Sequence, residues 1–143
     1  MSFAERIAAA RLNGDYNALI EAIPYFQWLG LNVELRDGEV VTVLPFQDML
    51  IGNPMLPALH GGVTGAFLES AALLSLMARM PTAQVPKIVN ITIEYLRPGG
   101  PVDSFAAGII TRQGRRVANV RAEAWQDDRA HPFAAASAHF LLG

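Results

Sequence analysis

The sequence predicts an α+β fold in which an antiparallel sheet wraps around one long buried helix. Residues 61–78 are apolar apart from a single ionisable side chain, Glu69, and their apolar residues recur at helical spacing. The second half of the chain alternates apolar and polar residues in four successive runs, as half-buried strands do. Because the long helix and these strands are segregated along the chain, the sheet is predicted to be antiparallel.

The bulk composition restricts the class of protein. The chain has 143 residues, which fits a single domain, 1–143, whose residues 1–24 form an N-terminal helical extension. Apolar residues make up 52% of the chain, and the net charge is −2 with no basic block, which argues against nucleic acid as a partner. There is no cysteine, and the three histidines are far apart, so no disulfide, thiol catalysis or metal site is predicted.

The N-terminal segment does not resemble a targeting signal. Glu5 and Arg6 interrupt the apolar run that a signal peptide needs. The apolar stretch around residues 56–80 contains Pro57, His60 and Glu69, so it is interpreted as a core helix with its approach loop and not as a membrane span. The cytoplasm is the expected location, with no membrane partner.

The elements of the first half follow from local signals. Ser2 and Glu5 have the spacing of a capping box, which predicts a first helix that ends at Gly14. A short second helix is predicted before Pro24. Residues 31–35 and 40–44 alternate as strands around a hairpin turn at 37–38. Residues 45–59 are rich in glycine, asparagine and proline, which predicts a loop.

The long helix and the final strands complete the order of elements. The helix is predicted to end at Pro81. Four strands are predicted after it, at residues 89–95, 104–112, 116–126 and 133–142.

The start of the long helix is where chemistry is expected. Gly61 and Gly62 leave backbone N–H groups open to a close-approaching ligand, and His60 precedes them. A carboxylate in an apolar helix is costly to bury unless it has partners or a function, so Glu69 is the candidate acid for hydrolytic chemistry. The alternative is that Glu69 is an ordinary carboxylate on a solvent-exposed strip.

These residues also carry a family resemblance. Asn53, the run His60-Gly61-Gly62 and Glu69, nine residues after the histidine, resemble the phenylacetate-pathway (PaaI-like) type of hotdog-fold acyl-CoA thioesterase. The later segments Ile93-Glu94-Tyr95-Leu96-Arg97-Pro98, Gly114-Arg115-Arg116 and Ala136-Ser137-Ala138-His139-Phe140 are similar to that family as well. The resemblance covers roughly residues 25 to 142.

The resemblance implies hydrolysis of the thioester bond of acyl-CoA. It implies that Glu69 is the catalytic acid, as general base or as nucleophile, that the Gly61 N–H forms the oxyanion hole, and that His60 fixes the local loop. Two positions depart from the family pattern. The polar residue usually found six positions before the histidine is Pro54 here, and Asn53, one residue earlier, is the candidate for that catalytic position. Leu73 replaces a hydroxyl residue that some relatives carry one turn after the acid.

The resemblance also implies how substrate and partners are arranged. Gly62, Arg97, Arg115 and Arg116 are the expected substrate-binding residues, since guanidinium groups suit the phosphates of CoA. The alternative for the three arginines is that they are solvated surface charges. CoA is part of the substrate, so no separate cofactor is expected. The family's sites lie between protomers, which implies a homodimer or homotetramer. The alternatives are a hotdog acyl-CoA hydratase or dehydratase, a non-catalytic acyl-CoA binding module, and a purely structural subunit.

Overall fold

The computed structural model describes residues 2–80 and 84–143. Its helices are α1 (Phe3–Asn13), α2 (Asn17–Ala22), α3 (Pro24–Leu29) and α4 (Gly61–Arg79). Its strands are β1 (Asn32–Arg36), β2 (Glu39–Leu44), β3 (Ile51–Asn53), β4 (Ala58–Leu59), β5 (Lys87–Tyr95), β6 (Ser104–Gln113), β7 (Val117–Trp125) and β8 (Ala134–Leu141), with a 3-10 helix at Asp48–Leu50.

Six strands form one antiparallel sheet that wraps around α4. The strand order is β1-β2-β6-β7-β8-β5. Gly65 of α4 lies against Ile93 in β5, and Ser75, ten residues later, lies against Gly108 in β6. Ile93 and Gly108 belong to one cross-strand row, joined through β8 and β7. The helix therefore runs across the strands, and the predicted α+β fold with one central helix is confirmed.

Small residues set how closely α4 approaches the sheet, and they lie on the helix at one contact and on the sheet at the other. A Cβ atom added at Gly65 would lie 2.7 Å from Cδ1 of Ile93, so glycine on the helix faces a large residue on the sheet. A Cβ atom added at Gly108 would lie 3.0 Å from Cβ of Ser75, so the relation is reversed at the other end. Close packing of this kind tolerates few changes of volume.

The N-terminal helices follow their capping signals, with one difference. The Ser2 hydroxyl accepts a hydrogen bond from the Glu5 N–H at 3.2 Å, and Gly14 ends α1 with a φ of 72°. The sequence predicts two N-terminal helices, and the structure has a third, α3. Pro24 occupies its first turn, where proline is favoured, so this residue starts a helix as well as ending the previous one.

Two connections differ in how well they were predicted. The hairpin turn at residues 37–38 is confirmed, because Asp37 and Gly38 have φ values of 53° and 81°. The prediction that residues 45–59 form only a loop is wrong, since they contain the 3-10 helix and the hairpin β3–β4. These strands have three and two residues, too few for a period to be recognised in the sequence.

The helix α4 and the last four strands lie where the sequence places them. Each of these strands begins and ends within two residues of its predicted bounds. The helix ends at Arg79, and the predicted stop at Pro81 lies outside the described residues. By length and mean hydropathy alone α4 could cross a bilayer, yet Phe67, Leu68 and Ala71 are fully buried within the domain, as expected of a core helix.

Candidate active site

His60 caps the N-terminus of α4. Its Nδ1 atom accepts a hydrogen bond from the Gly62 N–H at 2.9 Å, and its carbonyl accepts one from the Thr64 N–H. A ring nitrogen that accepts a hydrogen bond carries no proton, so this geometry places the ring proton on Nε2. The lone pair that a histidine base would use is therefore already engaged by the backbone. A Cβ atom at Gly62 would lie 3.0 Å from the same Nδ1 atom, which explains the second glycine.

The Gly61 N–H is an open donor at the same corner. Within residues 2–80 and 84–143, no group accepts a hydrogen bond from it. An N–H in the first turn of a helix has no intrahelical acceptor and lies at the positive end of the helix dipole, which suits a developing negative charge. An open donor of the kind that an oxyanion hole needs therefore lies at the predicted residue.

A residue that the sequence analysis did not assign to the site contacts Gly61. The Tyr95 hydroxyl, at the end of β5, donates a hydrogen bond to the Gly61 carbonyl at 2.8 Å. The two residues are 34 positions apart. Only the register of β5 beneath α4 brings them together, so no local signal in the sequence could have found the contact.

Glu69 lies on a strip of α4 that the sheet does not cover. The strip consists of Gly62, Ala66, Glu69 and Leu73, spaced three or four residues apart, and the Glu69 side chain is exposed in the single chain. The expectation of a buried carboxylate is therefore wrong for one chain alone. The reason is that the sheet of the same chain does not cover this strip of α4.

The environment of Glu69 still changes its chemistry. Neighbouring protein removes part of the water around the carboxylate, and this desolvation raises the pKa of Glu69 above the ordinary value. Across the described residues, no donor forms a hydrogen bond or ion pair with this carboxylate. A carboxylate of raised pKa without partners is a stronger base than an ordinary glutamate, as proton abstraction requires.

The two predicted catalytic groups do not meet within one chain. Gly61 and Glu69 are eight residues apart on one helix, which separates them by about 12 Å along its axis. No contact between the two groups is found among the described residues of one chain. A second copy of the chain is one way in which they could be brought to the same thioester carbonyl.

Asn53 lies near this corner but is engaged elsewhere. Its Oδ1 atom accepts a hydrogen bond from the Met55 N–H at 3.0 Å within the β3–β4 connection. The neighbouring Gly52 packs directly on His60, since a Cβ atom there would lie 2.6 Å from the His60 Cα. The hairpin therefore supports the histidine loop, and a catalytic role for Asn53 stays a prediction.

The predicted arginines occupy opposite ends of the strands. Arg97 follows β5 at the Tyr95 end, beside the start of α4, and is exposed. Arg115 and Arg116 lie in the β6–β7 turn, at the Lys87 end, where they line a cleft of about 320 Å³ together with Arg112. In one chain this cleft is about 26 Å from the Tyr95 end, measured as the length of a nine-residue strand.

Two other features do not coincide with the predicted chemistry. A cavity of about 370 Å³ lies at the C-terminal end of α4, lined in part by Arg11, Glu39 and Arg79, remote from both Gly61 and Glu69. Among the described residues, no group of three or more histidine, cysteine, aspartate or glutamate side chains could hold a metal ion. The candidate site is therefore the N-terminus of α4, at His60 to Gly62, together with the uncovered strip of the same helix.

Comparison with known protein families gives an independent view of this site. The family model of the thioesterase superfamily matches residues 56–132, which include the His60 corner, α4 and most of the sheet. The medium/long-chain acyl-CoA thioesterase YigI of Salmonella typhimurium is 30% identical over 136 residues, covering 85% of this chain and 86% of that protein.

Two solved structures share the fold. A protein from Chromobacterium violaceum is 45% identical, has a TM-score of 0.79, and aligns over 97% of each chain. The phenylacetic acid degradation protein PaaI of Thermus thermophilus, solved as a point mutant, is 24% identical, with a TM-score of 0.69 over 83% of this chain and 98% of that chain. The hotdog architecture is therefore shared with a protein of the type that the sequence resembles.

Proposed function

This chain belongs to the thioesterase superfamily, and we propose that it hydrolyses the thioester bond of acyl-CoA to a free acid and CoA. The observation that carries the proposal is the pair of groups on α4. The unpaired Gly61 N–H suits a developing oxyanion, and the partly desolvated Glu69 carboxylate suits the activation of an attacking group. A relative 30% identical bears the name of an acyl-CoA thioesterase.

The reaction uses each group at a defined atom. With Glu69 as general base, its carboxylate takes a proton from water while the water oxygen bonds to the thioester carbonyl carbon. The carbonyl electron pair moves onto oxygen, where the Gly61 N–H stabilises it. The carbon–sulfur bond then breaks, and the CoA thiolate leaves and takes up a proton. With Glu69 as nucleophile, its oxygen bonds to the carbonyl carbon, the carbon–sulfur bond breaks and the CoA thiolate leaves and takes up a proton, and water then cleaves the resulting anhydride to the free acid and the Glu69 carboxylate.

The active site is proposed to form between two copies of the chain. The β5 strand pairs only with β8 among the described strands, so its other edge is open to a second chain. Gly65 packs on β5 one turn before Glu69, which places the uncovered strip beside this edge. A second copy docked here would cover the strip and supply the Gly61 N–H that Glu69 lacks within its own chain. The assembly is a homodimer or a homotetramer.

The same arrangement accounts for the arginines. When two β5 edges pair in antiparallel fashion, the Lys87 end of one copy lies beside the Tyr95 end of the other. Arg115 and Arg116 of one chain then lie at the end of the sheet that carries Gly61 of its partner. We infer that they contact the CoA phosphates of a substrate bound there, with Arg97 contributing from the Gly61 side.

The acyl group is proposed to be apolar and of medium or long chain. The strip beside Glu69 includes Ala66 and Leu73, and the half-buried Val63 and Ile91 pack against the same core. These side chains offer no polar partner to an acyl chain. The YigI relatives are named for medium- and long-chain substrates. We propose a cytoplasmic location.

A release assay for free CoA tests the function. The purified chain is offered short, medium, long and aromatic acyl-CoAs, and turnover is expected with the medium and long chains. No release of CoA from any of them, with binding retained, would instead favour a non-catalytic binding module. Hydration of an enoyl-CoA that is abolished by His60→Ala would favour the hydratase alternative.

A mixing experiment tests the shared site. Gly61→Pro removes only the open N–H, because proline is tolerated in the first turn of a helix, and Gly61→Ala is the matched control that keeps the N–H. Gly61→Pro and Glu69→Gln should each be nearly inactive. Mixed and re-associated, they should regain up to about one quarter of the parent activity, since half of the pairs carry one intact site. No recovery in verified mixed dimers would place both groups in one chain.

A further inference from the structure

We propose that Tyr95 is a positioning residue for this hydrolysis. Its hydroxyl, by holding the Gly61 carbonyl, orients the Gly61 N–H toward the thioester carbonyl oxygen. The inference rests on the proposed function and adds to it a residue from the sheet, which touches neither the substrate nor the attacking water.

One peptide unit at the start of α4 is held at both ends by side chains. The carbonyl of the Gly61–Gly62 peptide accepts from the Tyr95 hydroxyl at 2.8 Å, and its N–H donates to Nδ1 of His60 at 2.9 Å. This peptide is adjacent to the open Gly61 N–H. Only the two backbone dihedrals of Gly61 separate that N–H from the carbonyl that Tyr95 holds.

Two successive glycines hold this geometry less firmly than other residues would. Glycine lacks the Cβ atom that restricts φ and ψ in other residues, so Gly61 and Gly62 leave the helix start free to distort. An oxyanion-hole donor contributes fully only when it is held in place before the reaction. The hydrogen bond from the Thr64 N–H to the His60 carbonyl restrains the start of the helix in part, and the side chains of Tyr95 and His60 add a direct restraint on this peptide.

Tyr95 connects the Gly61 donor to the sheet. Tyr95 pairs with Ala134 of β8 at the end of a strand, and its ring lies alongside Gly61, where an added Cβ atom would be 3.4 Å from the hydroxyl oxygen and 3.5 Å from two ring carbons. Tyr95 is itself 58% exposed. An exposed hydroxyl can exchange its hydrogen bond with water, so this bond adds little to stability. Its contribution is to the orientation of the Gly61 N–H.

The test is Tyr95→Phe, which keeps the ring and removes the hydroxyl. Loss of an oxyanion donor costs about 10²–10³ in turnover, and a donor that is present but poorly oriented should lose part of that, roughly 5- to 30-fold in kcat. KM and Tm should stay near the parent values. The matched control is Tyr25→Phe, because Tyr25 is also a half-exposed tyrosine and its hydroxyl has no hydrogen-bond partner among the described residues. That control should match the parent in kcat.

A double-mutant comparison separates positioning from other roles. In a Gly61→Pro background the donor is already absent, so Tyr95→Phe should lower the residual kcat by less than about twofold. An equal loss in both backgrounds would overturn the inference, because Tyr95 would then act on the substrate or the fold directly. Unchanged kcat for Tyr95→Phe in an active parent would overturn it while leaving the proposed function intact. A parent inactive on every acyl-CoA would overturn both.

Discussion

The two ends of α4 differ in how their unpaired backbone groups are treated. At the C-terminal end, the Arg11 guanidinium of α1 donates two hydrogen bonds, at 3.0 and 2.8 Å, to the Met77 carbonyl. At the N-terminal end, the Gly61 N–H has no acceptor in the described part of the chain. Every helix leaves such groups at both ends, so the difference is a property of this protein and not of helices in general.

Both halves of the helix pack closely on the sheet, Gly65 against Ile93 and Ser75 against Gly108, while the strip around Glu69 near the middle is uncovered. The two ends therefore differ in their backbone groups and not in their packing on the sheet. The Met77 carbonyl is satisfied within the chain, and the Gly61 N–H stays an open donor beside a surface suited to a second copy and a substrate. Stability and function are assigned to opposite ends of one element, which allows each to be altered separately.

The largest expected effect is on catalysis, at Glu69 on the uncovered strip of α4. Glu69→Gln keeps the size of the side chain and removes the base or nucleophile, so kcat should fall by about 10² or more. Tm should not fall, because the carboxylate has no partner to lose among the described residues. Steady-state CoA release and thermal melting measure the two quantities. Turnover within threefold of the parent would remove Glu69 from the mechanism.

The next largest effect is on stability, at the C-terminal end of α4. Arg11→Ala removes two charged hydrogen bonds to the Met77 carbonyl, and the free energy of unfolding should fall by about 1.5–3 kcal/mol. Arg6→Ala on the same helix is the control, since no hydrogen bond from Arg6's side chain is found in the described residues. Urea unfolding measures both variants. The comparison of the two ends fails if Arg11→Ala lowers kcat of the folded protein and leaves the free energy of unfolding unchanged.

A smaller effect is expected at the arginine cleft. Arg115→Ala and Arg116→Ala should each raise KM for acyl-CoA a few-fold, with kcat little changed. The reason is that exposed contacts to phosphate bind the substrate and the transition state equally. The effect should vanish with a short pantetheine thioester that lacks the nucleotide. Equal losses on both substrates would instead assign these arginines to the fold or the assembly.

The smallest effect is the pH dependence of stability due to Glu69. Its folded-state pKa is raised by desolvation, so the folded chain holds this proton to a higher pH than the unfolded chain does. The parent should therefore lose a little stability as pH rises from the unfolded pKa through the folded one, and Glu69→Gln should lack this component. Parallel urea titrations of the two proteins between about pH 4 and 7 measure the difference. A difference of opposite sign would show that the carboxylate is stabilised in the fold.

Most of the fold followed from the sequence because its signals are local. The capping residues of α1, the Asp37-Gly38 turn and the alternation in β5 to β8 each specify a backbone conformation within a few residues. The hairpin β3–β4 was missed because strands of three and two residues carry no period. The third helix was missed because Pro24 was interpreted only as a stop.

The candidate residues at the start of α4 also came from local signals, since a glycine pair after a histidine and a lone acid on an apolar helix are visible in sequence. What only the tertiary structure decided were the contacts between distant segments. Sheet register brings Tyr95 to Gly61, α1 packing brings Arg11 to Met77, and incomplete coverage by the sheet exposes Glu69. These contacts depend on how strands pair and helices dock over separations of 34 and 66 residues, and no pattern within a short segment encodes that choice.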